Sequence, residues 1–444
     1  MRWWWCIAGL LVCLAIHGVL LWIYWLPEPK KLLGDEVMYW QVAQWAAQGG
    51  EIRLPPLWPP LQAYILTGLV RWFGDTLVPA QILQTLLLGV AALLARDIWL
   101  RLSGLRASAD LLALWMFAYP PLVAFAHHLW PEVLHLALAS GVLWILVARR
   151  ESTPWALAMG ALLGLTLLAK SLIAPFVPIL LTPLALRGTA ARRALRVALA
   201  VAALLVVIAP TALANRERHG IASIGNSAWF NFWVGLNDTS RRDYENDAAE
   251  REYHRYLRSA GTWPERNAIL RQRIADRLRG RGLLPVLSAQ LGRQYFRLFD
   301  KDSILTIQLP GGRIHRQGGG YVRAPAFAAT TLRALSWSLY ALLLSTAVAG
   351  VALWLPRAPG WVYGALTFVS YNLGLFLLLH VKTRYFVPLL PIAFGFSATA
   401  LQWGAERARG ELGPARRMLE APGPKGCVIA ACAAALLLYL GFGA

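Results

Sequence analysis

Long apolar runs, separated by short polar connections, dominate the pattern of the chain. A helix needs about 20 predominantly apolar residues to cross the hydrocarbon of a bilayer. Stretches that approach this length recur from one end of the chain to the other. They are residues 3–25, 77–100, 108–127, 132–148, 154–170, 171–187, 196–213, 328–355, 361–380, 385–404 and 426–442. The pattern predicts an all-α integral membrane protein with roughly 11 transmembrane helices.

Two connections are much longer than the others, at residues 26–76 and 214–327. Around Tyr39–Trp45, around Leu61–Phe73 and within 263–299, apolar and aromatic positions recur at helical spacing beside a polar face. This pattern is typical of helices that lie at the membrane surface. We therefore expect three parts: an N-terminal transmembrane module that includes the first loop (1–213), a second loop with interfacial helices (214–327) and C-terminal transmembrane helices (328–444).

The composition agrees with a membrane protein. Of the 444 residues, 57% are hydrophobic and 15% are charged, whereas soluble domains carry roughly 25% charged residues. The formal net charge is +20, but the basic residues are not gathered into one domain, so no nucleic-acid partner is predicted. The four cysteines lie in apolar segments and have neither zinc-site spacing nor the pattern of a disulfide framework.

Basic residues in the short connections indicate the orientation, because short cytoplasmic loops carry an excess of Lys and Arg. The two long loops then face outward, and the arginines of 214–327 agree with this because loops longer than about 60 residues are largely exempt. The predicted location is the bacterial inner membrane, with the working face toward the periplasm. The short-loop residues are Arg101, Arg106, Arg149, Arg150, Arg187, Arg192, Arg193, Arg196, Arg407, Arg409, Arg416, Arg417 and Lys425.

Two adjacent carboxylates, Asp35 and Glu36, follow the first predicted span and precede Tyr39. Carboxylates near a membrane are costly to desolvate, so their presence favours a function. One can act as a general base toward a hydroxyl, or both can help to hold a divalent cation. The structural alternative is that Asp35 caps the helix that carries Tyr39, since Asp is a favoured N-cap residue.

Two further motifs fall on the same outer side. Trp58 stands in a passage whose prolines force a stiff, extended backbone. His127 and His128 come shortly before Glu132, which opens a predicted helix. These residues are candidates for a polar substrate site. The alternatives are a stiff surface loop and a first-turn acid that favours the helix dipole.

Positive charge is concentrated between two strongly apolar helices, at Lys382 and Arg384, and Tyr385 follows. Such charges are not expected in a short outer loop, and an anionic ligand such as a phosphate explains them. Lys170 adds a cation near the same boundary, with snorkelling to the interface as its structural alternative. Carboxylates, aromatics and cations at one interface suit a reaction between a lipid phosphate and a neutral polar acceptor.

In this order along the chain, the motifs resemble those of the GT-C superfamily of membrane glycosyltransferases, in particular the bacterial branch related to protein mannosyltransferases and the aminoarabinose transferases of lipid A. One departure is Trp58, where those branches often have a basic residue before the Pro-Pro pair, which argues against a direct match to the lipid A enzyme. The matching segments are Gly34-Asp35-Glu36 with Tyr39 and Ala43, Pro59-Pro60-Leu61, Pro131-Glu132, Asn226 to Asn237, and Arg384-Tyr385 with Pro388 and Pro391.

The resemblance implies a many-helix fold and a sugar donor carried on a polyprenyl phosphate, such as undecaprenyl phosphate. The hypothesis is an inverting transfer to a lipid, glycan or protein acceptor, with no cofactor required other than a divalent cation if the carboxylates hold one. The expected roles are general base for Asp35; assistance for Glu36 and Glu132; phosphate binding for Lys170, Lys382, Arg384 and Tyr385; and substrate contact for Tyr39, Trp58, His127 and His128.

Two other function classes stay open. A polymerase or ligase of surface polysaccharide also uses lipid-linked sugars, but it would be expected to depend on a large outer loop rather than on an acid pair after the first helix. A transporter or lipid flippase would be expected to have paired repeats and charges near the bilayer midplane. Neither feature is clear in the sequence.

Overall fold

The computed structural model describes residues 3–25, 31–52, 54–237, 241, 248–259, 261–316 and 324–443. These residues form helices and connections without β-strands, so the predicted all-α class is confirmed. The α-helices are α1 Trp3–Trp25, α2 Asp35–Ala47, α3 Leu61–Phe73, α4 Val78–Ser103, α5 Arg106–Ala118, α6 Pro120–Ala124, α7 Glu132–Ala148, α8 Thr153–Ala169, α9 Val177–Leu181, α10 Ala190–His219, α11 Ala228–Asn237, α12 Ala248–Arg258, α13 Trp263–Arg281, α14 Leu283–Leu298, α15 Ile304–Gln308, α16 Arg313–Arg316, α17 Ala326–Trp354, α18 Gly360–Leu378, α19 Leu390–Ala408, α20 Pro414–Met418 and α21 Pro424–Phe442. Short 3-10 helices occur at Phe125–His127, Ser171–Phe176, Thr182–Ala185, Leu355–Arg357 and Thr383–Leu389.

Seven of the described helical segments are long and apolar enough to cross a membrane, and an eighth results if α5 and α6, bent by 49°, form one span. The predicted stretches 132–148, 154–170 and 171–187 are shorter apolar helices, so the count of roughly 11 is not confirmed. Side chains such as Leu10, Leu93 and Val206 are more than half exposed on these helices. Such surfaces suit lipid rather than water, as expected of a multi-pass membrane protein.

Prolines explain where the apolar runs break. Proline lacks the backbone N–H and clashes with the preceding turn, so it ends or bends a helix. The bend between α5 and α6 falls at Tyr119, just before Pro120. In the predicted span 171–187, three prolines accompany two 3-10 segments and the short α9, which replace a continuous helix.

Close helix crossings hold the bundle together. Along the contact of α8 with α10, a Cβ at Gly160 would collide with the backbone of Ala200. Where α17 crosses α19, a Cβ at Gly350 would likewise collide with the backbone of Phe396. Small residues at such crossings let helix backbones approach closely, which supplies van der Waals contact inside a bilayer.

The first long loop folds into α2 and α3, which pack against each other. Tyr39, Ala43, Ala63 and Leu66 form a small core that includes Leu129, from the connection before α7. The helices predicted in this loop and within 263–299 are confirmed as α2, α3, α13 and α14. Their placement flat on a membrane, and the three-part division of the chain, stay predictions.

The directions of α7 and α8 separate the basic loop at Arg149 and Arg150 from the predicted site. Helix α7 has 17 residues, begins at Glu132 and ends beside Arg149, which is a length of about 25 Å. Helix α8 returns in the opposite direction and ends beside Lys170, whose Nζ donates a hydrogen bond to Glu132. The candidate charges therefore lie at the end of this helix pair that is far from Arg149 and Arg150.

Candidate active site

Eight of the residues predicted for the site line one cavity of about 660 Å³, a volume within the usual range for ligand sites. The cavity lies where the start of α2, the start of α7, the end of α8, α11 and the segment between α18 and α19 converge. Distant parts of the sequence therefore supply one wall each. The eight residues are Asp35, Tyr39, Trp58, Glu132, Lys170, Lys382, Arg384 and Tyr385.

Ion pairs connect four of these charges. Arg384 Nη2 donates a hydrogen bond to Asp35 Oδ2 at 2.7 Å, and Arg384 Nε lies 3.6 Å from Glu132 Oε1. Lys170 Nζ donates to the same Glu132 oxygen at 3.0 Å. The side chain of Glu132 is 2% exposed, whereas that of Asp35 is 29% exposed. With Lys382, the described cavity lining carries three positive and two negative side chains.

Aromatic rings hold the two cations that form these pairs. The Arg384 guanidinium carbon lies 4.5 Å from the centroid of the Trp130 ring and 5.7 Å from that of Tyr385. Lys170 Nζ lies 5.0 Å from the centroid of Tyr385. A ring face attracts a nearby cation electrostatically. The rings therefore fix the cations in place while their donors remain directed at carboxylates.

The cations determine the protonation state of Asp35. Burial by itself raises the pKa of this carboxyl, but the charges of Arg384, Lys382 and Lys170, with the hydrogen bond from Arg384, lower it below its usual value. Asp35 is therefore an ionised carboxylate at neutral pH. Burial, with the nearby charges of Asp35 and Glu132, raises the pKa of Tyr39. The phenol is thus a proton-bearing hydrogen-bond donor in the cavity wall.

Glu132 presents one unused acceptor. Both cations that approach this residue do so at Oε1, and Oε2 is buried without a hydrogen-bond partner among the described residues. A buried carboxylate oxygen that accepts no hydrogen bond is costly. Since Glu132 lines the cavity, a ligand hydroxyl or ammonium is well suited to supply the missing donor.

The start of α2 directs Asp35 into the cavity. Gly34 is the N-cap, with a φ of 55°, a backbone region that favours glycine. Asp35 is the first residue of the helix and makes no capping hydrogen bond there, so the interpretation of Asp35 as an N-cap is wrong. Its carboxylate instead reaches Arg384.

Glu36, His127 and His128 were predicted for the site but do not line the cavity. Glu36 is fully buried and accepts hydrogen bonds from the backbone N–H groups of Leu33, at 3.0 Å, and Leu129, at 2.7 Å. His128 Nδ1 lies 3.3 Å from Glu36 Oε2, the oxygen that also accepts the hydrogen bond from Leu33. These contacts fasten the start of α2 to the connection before α7, which is a positioning role.

The two histidines support the wall from behind. The ring of His127 stacks on Tyr24 at 5.5 Å, and that of His128 stacks on Trp130 at 5.0 Å. Trp130 in turn lies against Arg384. A continuous series of contacts therefore connects Glu36 and His128 to the cation of the cavity, although neither residue reaches it.

The site prediction gave no role to Trp130, which contacts Arg384, or to six polar residues that line the cavity. These six are Gln41, Ser171, Ser227, Asn231, His254 and His380. Trp130 stands beside Pro131-Glu132, so its position in that motif was the available signal. The backbone N–H of His380 donates to the carbonyl of Asn231 at 2.7 Å, which ties α11 to the connection after α18. Asn231 lies within the segment Asn226 to Asn237 that carried part of the resemblance.

Metal binding by the acid pair finds no support in its geometry. Glu36 is turned away from Asp35 into backbone contacts, and Asp35 is paired with Arg384. Within the described part of the chain, no group of three or more His, Cys, Asp or Glu side chains is placed to hold a metal ion. A divalent cation at this site stays a prediction.

No family model matches the chain, and no curated protein matches it. Its structure is similar to the crystal structure of ArnT from Cupriavidus metallidurans bound to undecaprenyl phosphate, with a TM-score of 0.45 and 16% identity over 99% of this chain and 70% of ArnT. It is also similar to the archaeal oligosaccharyltransferase AglB from Archaeoglobus fulgidus, in complex with an inhibitory peptide and a dolichol-phosphate, with a TM-score of 0.46 and 10% identity over 99% of this chain and 55% of AglB. These likenesses assign no residue roles to this chain.

Proposed function

We propose that this protein is a membrane glycosyltransferase of the GT-C type, which transfers a sugar from a polyprenyl-phosphate donor to a hydroxyl of a lipid, glycan or protein acceptor. The observation that carries the proposal is the convergence of three cations and two carboxylates on one cavity at the ends of apolar helices. Cations beside hydrocarbon suit a lipid phosphate, and a carboxylate beside them suits a base for the hydroxyl.

The proposed side of the membrane follows from the helix directions. The basic loop that contains Arg149 and Arg150 lies at the opposite end of α7 from the cavity. By the positive-inside tendency, that loop is cytoplasmic. The cavity then opens on the outer side, which is the periplasm in a bacterial inner membrane.

The donor phosphate is proposed to bind Arg384, with Lys382 and Lys170 beside it. Arg384 can present a planar fork of donors to phosphate oxygens, and its stacking on Trp130 orders that fork. Phosphate and Asp35 then compete for the same guanidinium. Donor binding therefore loosens the ion pair that keeps the pKa of Asp35 low, and Asp35 becomes a stronger base when the donor is present.

The chemical step is proposed as a single displacement. The acceptor O–H gives its proton to Asp35 while the oxygen forms a bond to the anomeric carbon. The bond from that carbon to the phosphate oxygen breaks, and its electron pair remains on the polyprenyl phosphate, which leaves with an additional negative charge. The cations stabilise that charge as it develops. Attack opposite the leaving group inverts the anomeric centre.

Glu132 is proposed to orient the acceptor. Its unused Oε2 accepts a hydrogen bond from another hydroxyl of the acceptor or donor sugar, while its other oxygen holds Lys170 in place. Tyr39 contributes a buried phenol donor, and Trp58 an aromatic surface for a sugar ring. Glu36 and the two histidines act through position alone.

Transfer from a panel of radiolabelled polyprenyl-phosphate sugars tests the proposal, with purified protein in detergent and a crude envelope-lipid acceptor. Wild type is compared with Asp35→Asn and with Asp75→Asn, which changes an exposed carboxylate of the same loop outside the cavity. We expect label in the acceptor fraction for wild type and Asp75→Asn, and a loss of about 10²–10⁴-fold for Asp35→Asn.

Full activity of Asp35→Asn would remove Asp35 from the chemistry. Absence of transfer with every donor, from wild-type protein shown to be folded, would overturn the glycosyltransferase assignment. In that case a polysaccharide polymerase or ligase, or a transporter of lipid-linked sugars, would be the next hypothesis to test.

A further inference from the structure

A second cavity, of about 520 Å³, lies next to the one described above. It is bounded by the proline passage of the first loop, by α3, by the end of α10 and by the start of α13. Helix α10 begins near the basic residues Arg192 and Arg193 and ends at His219. Its end therefore lies on the same outer side as the first cavity under the proposed topology.

Trp58 lines both cavities, so the proline passage is the partition between them. This partition is firmly held. The backbone N–H of Asn226 donates to the carbonyl of Pro56 at 2.6 Å, and a Cβ at Gly225 would lie 3.2 Å from Pro59. Proline also fixes its own φ, so the passage is stiff. A single extended ligand that contacts both cavities would have to pass Trp58.

The lining of the second cavity combines aromatic faces with charged and amide groups. Trp58, Tyr64 and Trp263 supply the aromatic side chains, and Asn215, Arg218 and Glu51 supply polar ones. Tyr64 is half exposed on α3. Arg218 and Glu51 lie 3.8 Å apart with half or more of each side chain exposed. An ion pair of that kind contributes little to stability, so exchanging it for ligand contacts costs little.

This combination matches a carbohydrate. A sugar ring has apolar C–H faces that pack on aromatic rings, and a rim of hydroxyls that both donate and accept hydrogen bonds. An isoprenoid or acyl chain has no groups that could hydrogen-bond to these polar side chains. A lipid headgroup has no extended apolar face that would pack on the three aromatic side chains of this cavity.

We propose that the second cavity is a carbohydrate-binding subsite that holds a sugar of a glycosylated acceptor, one or more sugar units away from the hydroxyl that reacts. The inference rests on the proposed function and narrows it, because it selects a glycan from among lipid, glycan and protein acceptors. The reacting sugar lies in the first cavity beside Asp35, and the next part of the glycan passes Trp58 into the second.

Saturation-transfer NMR provides a direct test that needs no turnover. The probe is the soluble oligosaccharide fraction released by mild acid from cell-envelope glycolipids, added to the full chain in nanodiscs. Tyr64→Ala removes a half-exposed ring of the second cavity, and Trp72→Ala removes an exposed ring of the same helix outside both cavities. We expect saturation transfer to the sugar protons with wild type and Trp72→Ala, and a several-fold weaker signal with Tyr64→Ala.

Kinetics with the intact glycolipid fraction complete the test. Loss of one sugar–aromatic contact should raise the acceptor KM about 3–10-fold in Tyr64→Ala, with the donor KM unchanged. Arg218→Gln, at the exposed rim, is a second variant with little risk to folding and should act in the same direction.

The outcomes separate the two proposals. Transfer by wild type with the same acceptor KM and NMR signal in Tyr64→Ala, Arg218→Gln and wild type would overturn the subsite and leave the glycosyltransferase standing. Saturation transfer that depends on Tyr64, without sugar transfer from any donor, would support the subsite and overturn the proposed reaction. No saturation transfer to wild type would overturn the subsite directly.

Discussion

Replacing Arg384 by glutamine removes one full charge from the cavity and breaks both of its carboxylate contacts, at 2.7 Å to Asp35 and 3.6 Å to Glu132. The consequences for the two acids differ. Glu132 is almost fully buried but keeps Lys170 at 3.0 Å. Asp35 is 29% exposed and regains water contact. We therefore expect a loss of about 1.5–3 kcal/mol of stability, rather than misfolding.

The effect on catalysis should be larger than the effect on stability. Two unit charges 4 Å apart interact by about 4 kcal/mol at an effective dielectric constant of 20. The phosphate gains only a fraction of a unit charge in the transition state, and only the interaction with that added charge raises kcat. Loss of a single preorganised donor to a developing anion typically costs about 10²–10³-fold in kcat. We expect a loss in that range for Arg384→Gln, with a raised donor KM.

The assay is label transfer under saturating acceptor, with donor concentration varied. Arg279→Gln is the matched control, since Arg279 forms an exposed ion pair with Asp276 on α13, away from the cavity. The double variant Arg384→Gln with Asp35→Asn separates two roles of the arginine. If Arg384 binds phosphate, the double variant is slower than Asp35→Asn alone. If it only positions Asp35, the two are equally slow.

An Arg384→Gln protein that is folded and keeps wild-type kcat and donor KM would refute the phosphate site. Arg384→Lys sharpens the result. It retains the charge but loses the planar fork that reaches both carboxylates, so it should fall between wild type and glutamine. Equal activity of the lysine and glutamine variants would mean that fork geometry, and not charge, is what the site requires.

Acidification should destabilise the wild type more than Asp35→Asn. Burial raises the pKa of Asp35, but the adjacent cations lower it overall, so the ionised carboxylate stabilises the folded protein. This stabilisation is complete above about pH 4, the pKa in the unfolded chain, and is lost as the pH falls through the lowered pKa. Thermal unfolding at a series of pH values measures the difference, and an equal loss of stability in both proteins would contradict the prediction. Glu132→Gln should strengthen inhibition by the product polyprenyl phosphate, because Lys170 loses its counter-charge; unchanged inhibition constants would argue against phosphate binding beside Lys170. Treatment with EDTA should leave transfer unchanged, since protein cations neutralise the phosphate; activity that is lost and then restored by Mg²⁺ would show that a metal is needed.

Hydropathy located most of the long apolar helices, because a span needs about 20 apolar residues, but the predicted count of roughly 11 is not confirmed. It was less informative between Lys170 and Arg187. There the composition is apolar enough for a span, but three prolines remove N–H donors and break the helix into short pieces. Apolar composition alone does not show where the backbone hydrogen bonds of a helix are interrupted.

Asp35 and Glu36 show the limit of the sequence for the site. Adjacent residues on a helix point about 100° apart, so only one of two neighbouring carboxylates can face a given cavity. The sequence does not state which one. In the structure Asp35 faces Arg384, and Glu36 faces the backbone of Leu129. The same ambiguity applies to His127 and His128, whose polarity suggested the cavity but whose rings pack behind its wall.

The charges of the described cavity lining fit the proposed reaction from start to end. Three cations and two carboxylates leave one positive charge, which a phosphodiester donor with its single negative charge neutralises. During transfer the phosphate gains a second negative charge, while Asp35 loses its own by accepting the acceptor proton. The cavity is therefore neutral before and after the step. Neutrality favours a buried site, because an uncompensated net charge in a medium of low dielectric constant is energetically costly. In the proposed reaction, proton transfer to Asp35 and departure of the phosphate are thus electrostatically coupled, which accounts for the direct contact between the proposed base and Arg384.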